Sequence, residues 1–216
     1  IYQDEGEGES LNYRQLKAGA AKIAAGLQQA GLQPAEPVAI MLPSGADYFY
    51  SFFGILMAGG IPTPVYPPAR PSQLEDHMLR HARKLANCLA ITLITVPEAR
   101  KVARLLKSHV PRLKHIVTVS EPSTSGMTAT PLGLNSNDIA FLQYTSGSTG
   151  NPKGVILTHA NLLANIRAMG QTVRASPDDV FVSWLPLYHD MGLIGAWLGS
   201  LYYAMLLVAM PPLSFL

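Results

Sequence analysis

The hydrophobic positions of the chain follow two patterns, one with helical spacing and one with short continuous apolar runs. Apolar residues three or four positions apart, as at Leu16, Ala20 and Ile23, are typical of amphipathic helices. This spacing predicts helices over residues 11–30, 46–58, 74–87, 98–108 and 158–169. The short apolar runs predict strands over residues 38–42, 61–66, 89–96, 115–119, 139–144, 155–157 and 180–184. Because strands and helices alternate, we predict an α/β fold built from parallel-sheet βαβ units.

One stretch of the chain has the composition of a connection rather than of a core. Residues 121–137 are rich in Ser, Thr, Gly and Pro. We therefore predict a first α/β subdomain over residues 1–120 and the start of a second over residues 138–216. In the second, residues 145–154 are expected to form a loop at the carboxyl end of a strand, where open α/β sheets bind ligands.

Residues 191–216 carry no formal charge and are long enough to cross a bilayer. Their glycines, a tyrosine pair, and the break at Pro211 and Pro212 favour a buried helix followed by a buried strand, since strands covered on both faces also form apolar runs. We therefore predict no membrane span. The acidic start of the chain lacks the features of a signal peptide, and the single Cys88 permits no internal disulfide, so a cytoplasmic location is expected.

Composition and charge narrow the classes of function. The 216 residues are 48% hydrophobic and 14% charged, which is typical of a globular protein, and the net charge of +2 argues against nucleic acid as a partner. Ten of the sixteen Lys and Arg residues nevertheless fall within residues 70–114, which hold three acids. Within this stretch Arg100, Arg104 and Lys107 share one helical face. A solvated face is the more frequent reason for such a run, and docking of an acidic partner or a membrane surface is the alternative.

Residues 145–154, with the sequence TSGSTGNPKG, combine the groups that bind phosphate. Hydroxyls and backbone N–H groups donate to phosphate oxygens, glycines allow close approach, and a lysine neutralises charge. The hydroxyls belong to Thr145, Ser146, Ser148 and Thr149, the glycines are Gly147, Gly150 and Gly154, and the cation is Lys153. The whole string predicts a phosphate-binding loop.

Two other motifs are excluded by single positions in this loop. The phosphate loop of nucleoside triphosphatases has Gly before its Lys and Ser or Thr after it, whereas Pro152 precedes and Gly154 follows Lys153. The nucleophile elbow of serine hydrolases has Gly two residues before its Ser, and Ser146 stands at that position relative to Ser148. Neither a P-loop enzyme nor a serine hydrolase is expected.

The histidines do not predict a metal site. His77 and His81 are four residues apart on a predicted helix, but the glutamate of a zinc protease is absent between them, and a surface helix is the favoured interpretation. His189 and Asp190 form a pair that some metal phosphohydrolases also contain, but no further His or Asp residues cluster with it in the sequence.

Four passages together resemble one family. LQYTSGSTGNPKG resembles the signature loop of the adenylate-forming superfamily, which includes acyl-CoA synthetases, luciferases and peptide-synthetase adenylation domains. LNYRQL resembles its opening helix, AGGIPTPVYPP its glycine-to-proline strand, and SWLPLYHDMGLIG the segment lining the acyl pocket. The last two passages are most similar to fatty acyl-AMP ligases. QPAEPV and the pair Asn87 and Cys88 depart from the usual pattern at positions that we interpret as structural.

The resemblance implies a reaction and its residues. It implies ATP- and Mg²⁺-dependent conversion of a fatty acid to acyl-AMP with release of pyrophosphate. Transfer to the phosphopantetheine arm of an acyl carrier protein would follow, in lipid, polyketide or nonribosomal peptide biosynthesis. Phosphate binding is implied for Thr145, Ser146, Gly147, Ser148, Thr149, Gly150 and Lys153. Catalytic roles are implied for Lys153 and His189, and a substrate pocket for Trp184, His189, Asp190, Met191 and Gly192.

Several alternatives stay open at this point. Asp190 could instead fix the His189 ring, and Trp184, Met191 and Trp197 could be pocket wall or core. In the family the nucleoside-binding groups, the magnesium-holding glutamate and the lysine of the lid domain lie further along the sequence. We therefore expect an incomplete N-terminal adenylation domain that is inactive alone. A CoA-forming synthetase, or a fragment that binds without turnover, is the alternative function.

Overall fold

The computed structural model describes residues 8–66, 74–119, 129–130, 132–145 and 152–210, with backbone only at residues 74–78, 101 and 102. The helices are α1 (Tyr13–Gln29), α2 (Ala46–Met57), α3 (Leu74–Asn87), α4 (Arg100–His109), α5 (His159–Val173) and α6 (Gly199–Tyr202), with a 3₁₀ turn at Pro97–Ala99 and a π-helix at Met191–Leu198. The strands are β1 (Pro37–Met41), β2 (Ile61–Pro64), β3 (Thr92–Thr95), β4 (His115–Thr118), β5 (Ile139–Thr145), β6 (Lys153–Thr158), β7 (Val180–Ser183) and β8 (Leu206–Ala209).

The largest described sheet has the order β2-β1-β3-β4, and all of its strand pairs are parallel. β7 and β8 form a second parallel pair. The predicted α/β class with parallel sheets is therefore confirmed. β5 and β6 differ, because they pair antiparallel. Residues 146–152, which join them, are shorter than the roughly dozen residues that a parallel crossover needs.

Alternate residues of β1 point into two different cores. Val38 and Ile40 pack with α1 and α2, whereas Ala39 and Met41 pack with α3 and α4. Side chains alternate across a strand, so one helix pair covers each face of the sheet. β5 lies against β2, which brings the start of the second predicted subdomain against the first sheet.

Local features set where β3 and α5 begin. β3 is shorter than the predicted run 89–96, since Leu89 has a left-handed φ of 61° in the turn before it. α5 begins after Thr158, whose hydroxyl accepts a hydrogen bond from the Asn161 N–H at 3.2 Å. The Asn161 side chain accepts in return from the Thr158 N–H at 3.1 Å, which completes a capping box.

The apolar stretch after Asp190 forms a helix and then a strand, as predicted. The π-helix continues directly into α6, and β8 follows it. The expectation of a buried strand is wrong for β8, since Leu206 is 62% exposed and the rest of the strand is half-buried. Residues 211–216 lie outside the described part. None of the described helices has both the length and the hydropathy to cross a membrane.

Candidate functional site

The β5–β6 hairpin presents the two ends of the predicted phosphate loop. Thr145 pairs with Lys153 across the hairpin, and both side chains are exposed. Directly opposed residues of an antiparallel pair share one face, so the Thr145 hydroxyl and the Lys153 ammonium start from neighbouring positions. The rest of the predicted loop, Ser146, Gly147, Ser148, Thr149 and Gly150, lies outside the described residues, and its roles stay predictions.

The next pair along the hairpin fixes this end to α3. Tyr144 pairs with Gly154, and a Cβ at Gly154 would lie 3.1 Å from the tyrosine Cζ. The Tyr144 hydroxyl donates a 2.6 Å hydrogen bond to the Asn87 side chain at the end of α3. Burial is the main cause that raises the pKa of Tyr144, so this donor keeps its proton. Asn87, interpreted from the sequence as a structural position, thus holds the hairpin in place.

Residues 184–190, here called the 184–190 segment, connect β7 to the π-helix and are held by two distant side chains. The Tyr48 hydroxyl in α2 donates to the Leu187 carbonyl at 2.9 Å. The Gln143 Nε2 in β5 donates to the Tyr188 carbonyl at 2.8 Å. Both donors are buried, at 1% and 6% exposure. The backbone immediately before His189 is therefore fixed from α2 and from the strand that leads into the phosphate loop.

Ring contacts extend this attachment to the end of β2. Tyr188 stacks on Tyr66 with a centroid distance of 4.2 Å and an angle of 20°. Lys84 of α3 places its Nζ 5.9 Å from the Tyr66 centroid and 6.0 Å from the Tyr144 centroid. Burial is the main cause that lowers the pKa of Lys84, and the positive charge of Arg80 lowers it further. The partly buried Lys84 ammonium thus lies between Tyr66, two residues after β2, and Tyr144 near the end of β5.

His189 lies at the surface, directly beside these anchors. Its N–H donates to the Pro186 carbonyl at 3.1 Å, and its carbonyl accepts from the Leu193 N–H at 2.8 Å. Its position is therefore set by a turn and by the first turn of the π-helix, and its ring is exposed. Strand β5 connects the two parts of the site. Its Gln143 bonds the Tyr188 carbonyl next to His189, and its Thr145 pairs with Lys153.

The other predicted pocket residues divide between surface and interior. The Asp190 carboxylate accepts from the Met191 N–H at 2.9 Å and, within the described residues, makes no hydrogen bond to the His189 ring. Met191 and Trp184 are 68% and 39% exposed. Gly192 is buried. Asp190 therefore caps the π-helix, and the alternative that it fixes the His189 ring gains no support.

Trp197, left open between pocket wall and core, belongs to the core. It is 2% exposed and stacks on Phe49 with a centroid distance of 4.4 Å. Phe52 and Phe53 meet it edge-on at 5.3 and 5.2 Å. This aromatic cluster fixes the π-helix against α2, the helix that also supplies the Tyr48 anchor.

A cavity of about 1240 Å³ opens beside the 184–190 segment, between α5, β7 and the π-helix. Its lining is mostly apolar and includes Ile166, Phe181, Leu185 and Ile194. Of the predicted pocket residues, Asp190 and Met191 line it, whereas Trp184, His189 and Gly192 do not. An apolar cavity with a few polar groups at its edge is typical of a small-molecule site.

The expected surface position of the His77 and His81 pair is wrong for His81. His81 is 3% exposed and its ring lies 6.0 Å from that of Tyr66, because this face of α3 turns toward the end of β2. The His77 side chain lies outside the described part. Across the described residues, no three His, Cys, Asp or Glu side chains are grouped as a metal site requires.

The site residues predicted from the sequence did not include Gln143, Tyr48, Tyr66 or Lys84. Gln143 carried one usable signal, as a polar residue inside an otherwise apolar strand, where buried polar groups need partners. The two tyrosines carried no such signal, since each stands in an apolar stretch that is typical of core.

The motif resemblance implies acid-dependent ATP–pyrophosphate exchange, and we expect Gln143→Met in the full-length protein to lower this exchange about tenfold. The substitution keeps the volume but removes the donor to the Tyr188 carbonyl, and loss of a buried hydrogen bond costs about 1–3 kcal/mol. Gln28→Met is a matched control, because Gln28 also bonds backbone, donating to the Thr130 carbonyl at 3.1 Å, but away from the site. Equal exchange rates in the two variants would contradict a positioning role for Gln143.

The fold is that of an α/β protein in which a parallel sheet is followed by the β5–β6 hairpin. The hairpin carries the Thr145–Lys153 pair, and its Gln143 holds the backbone next to His189. The sequence profile of AMP-binding enzymes matches residues 1–216. The chain belongs to the AMP-binding enzyme family, which agrees with the resemblance seen in its motifs.

Named relatives indicate the branch of the family to which the chain is similar. It is 37% identical over 202 residues to the long-chain-fatty-acid–AMP ligase FadD32 of Mycolicibacterium smegmatis, covering 91% of this chain and 31% of that protein. It is 31% identical over 219 residues to the medium-chain-fatty-acid–[acyl-carrier-protein] ligase JamA of Moorena producens, covering 100% of this chain and 37% of the relative.

A solved structure gives the same indication. The fatty acyl-adenylate ligase from L. pneumophila in complex with acyl adenylate and pyrophosphate matches with a TM-score of 0.83 at 34% identity, over 99% of this chain and 36% of that one. The chain thus spans about a third of the length of these relatives.

Proposed function

We propose that the full-length protein containing these residues activates a fatty acid with ATP as acyl-AMP and transfers the acyl group to an acyl carrier protein. The observation that carries the proposal is the cross-strand pair Thr145 and Lys153 at the two ends of a loop rich in hydroxyls and glycine. The names of the similar ligases support the choice of a fatty acid and a carrier protein.

In the proposed reaction a carboxylate oxygen of the fatty acid attacks the α-phosphorus of ATP. The bond from that phosphorus to the bridging oxygen breaks, and the electron pair leaves with pyrophosphate. Lys153 and the loop Thr145, Ser146, Gly147, Ser148, Thr149 and Gly150 hold the β- and γ-phosphates. A fixed cation there stabilises the charge that develops on the leaving group. His189 orients the attacking carboxylate.

We also propose that Mg²⁺ binds together with ATP. Mg²⁺ usually keeps several waters and binds substrate phosphates through one or two carboxylates rather than a full protein cage. The resemblance assigns the holding glutamate to sequence beyond this chain.

The apolar cavity is the proposed place of the acyl chain. It lies between α5, β7 and the π-helix, and Asp190 and Met191 at its edge also belong to the predicted pocket. Trp184 of the 184–190 segment and Gly192 of the π-helix are proposed to shape its entrance. The proposed organisation keeps residues 1–120 and 138–216 as parts of two subdomains joined by residues 121–137, and the proposed compartment is the cytoplasm, in keeping with the free Cys88.

The test incubates the full-length protein with ATP, fatty acids of increasing chain length, and either CoA or a holo-carrier protein, and follows products by mass. We expect acyl-AMP with each accepted acid, acyl-carrier thioester, and little acyl-CoA. Abundant acyl-CoA would move the protein to the CoA-forming branch, and absence of acyl-AMP would overturn the proposal. The 216-residue chain alone is expected to form no acyl-AMP, because closure of the site requires the nucleoside pocket and the lid.

A further inference from the structure

The charges of the chain are divided sharply between two regions. Residues 79–119 hold nine of the sixteen Lys and Arg residues and one of the fourteen Asp and Glu residues. The rest of the chain holds seven bases and thirteen acids. A nearly neutral protein therefore carries a strongly basic region, and such a region produces a local field that the net charge conceals.

The fold collects these bases on one side of the parallel sheet. α3 and α4 pack together on the same face, and β4 is the edge strand beside them. Arg83, Arg104 and Arg112 are exposed there, and none of them makes an ion pair or a hydrogen bond with another described residue. We call the exposed surface of α3, α4 and the turn before β4 the α3–α4 basic face. Arg83, Arg104 and Arg112 therefore make no hydrogen bond or ion pair that holds the described fold together.

The α3–α4 basic face reaches the candidate site through the end of α3. Asn87 accepts the Tyr144 hydrogen bond next to Thr145, and Lys84, one turn earlier, lies between Tyr66 and Tyr144. Arg83, the residue before Lys84, is exposed on the same helix. A partner bound at the α3 end of this face would therefore lie next to β5, the strand that leads into the predicted phosphate loop.

We propose that the α3–α4 basic face docks the acidic carrier protein that accepts the acyl group. The proposal rests on the proposed function and adds the surface by which the acceptor is recognised. Arginine forks pair with carboxylates in two-point geometry, which suits an acidic helical surface. Oppositely charged surfaces raise association rates by roughly 10- to 1000-fold at low salt.

The packing of α4 favours a protein over a membrane as the partner. A helix that lies on a bilayer buries its apolar face among the lipids, but Ala103 and Leu106 of α4, and Val110 directly after it, are each 1% exposed in the core. Leu79 and Leu105 remain exposed on this side, at 44% and 63%. Isolated leucines among arginines match the apolar centre and polar rim of a protein interface.

The test reverses three charges on this face in the full-length protein, with Arg83→Glu, Arg104→Glu and Arg112→Glu. The matched control makes the same charge change on α1, with Arg14→Glu, Lys17→Glu and Lys22→Glu, all exposed. Binding of a fluorescent acidic acyl carrier protein in its apo form is measured by anisotropy, so that no chemistry is needed. Acyl transfer to the holo form and ATP–pyrophosphate exchange are measured in parallel.

We expect the basic-face variant to lose about tenfold or more in apo-carrier affinity and in kcat/KM for the holo-carrier at low salt. The loss should vanish near 0.5 M salt, where the screening length is about 4 Å. The α1 variant should stay within about twofold of wild type, and exchange should be unchanged in both. A triple Arg→Gln variant at the same positions, expected to lose about threefold, keeps the test available if the reversed variant does not fold.

Three results would overturn the docking proposal. One is equal loss of carrier affinity in the two charge-reversed variants, and another is no loss in either. The third is binding to phosphatidylserine vesicles that depends on the basic face while carrier binding does not, which would assign the surface to a membrane. Failure of the proposed function is separate, because it shows as absent pyrophosphate exchange in the wild type, whereas carrier binding is still measured.

Discussion

Replacing Lys153 by alanine in the full-length protein is expected to lower acid-dependent ATP–pyrophosphate exchange by about ten- to a thousandfold. Lys153 is the first residue of β6, opposite Thr145, and its side chain is exposed at the mouth of the loop. A cation held on a strand acts most strongly on charge that develops in the transition state, here on the departing pyrophosphate. The loss should appear mainly in turnover.

The stability of the variant separates this role from a structural one. Exposed substitutions away from special features usually change the free energy of unfolding by less than about 0.5 kcal/mol, so the melting temperature of Lys153→Ala should match wild type. Lys17→Ala on α1 is the matched control, since it also removes an exposed ammonium, and its exchange rate should be unchanged. An undiminished rate in Lys153→Ala would remove Lys153 from the proposed machinery.

The fold was largely predictable because most of its elements bury one clear face. The helical spacing that begins at Leu16 continues to Leu27, and α1 buries these positions. Strand direction was less visible, since a continuous apolar run such as residues 139–144 does not encode whether its partner is parallel. The antiparallel β5–β6 pair follows from the short connection of residues 146–152, a length that was present in the sequence but not used.

The site was predictable only for residues whose type and local sequence indicate a chemical role. Thr145 and Lys153 belong to a loop whose composition indicates phosphate. Tyr48 and Gln143 donate hydrogen bonds to backbone carbonyls 139 and 45 residues away in the sequence. No local sequence pattern predicts a partner at such a distance. His81 was misjudged for the same reason, because helical spacing predicts which residues share a face but not what covers that face.

Gly192→Ala is expected to lower the free energy of unfolding by about 3 kcal/mol and to reduce pyrophosphate exchange with it. A Cβ at Gly192 would lie 2.3 Å from the Pro186 carbonyl oxygen and 2.9 Å from that of Leu185. These are backbone atoms of the 184–190 segment, which Tyr48 and Gln143 hold by hydrogen bonds. The segment cannot yield without losing its anchors, and overpacking of this kind costs about 1–3 kcal/mol, occasionally more.

Gly195→Ala in the same π-helix provides the matched control, because a Cβ there meets nothing within 4 Å. At such a position alanine restricts the unfolded chain and usually stabilises by about 0.4–1 kcal/mol. The two alanines should therefore shift thermal unfolding in opposite directions, although they stand three residues apart in the same π-helix. Because Gly192 packs under the turn that presents His189, its variant should lose activity below its melting temperature too. Equal destabilisation by Gly192→Ala and Gly195→Ala would indicate that any alanine destabilises the π-helix. An unchanged stability of Gly192→Ala would show that the 184–190 segment is not rigidly held.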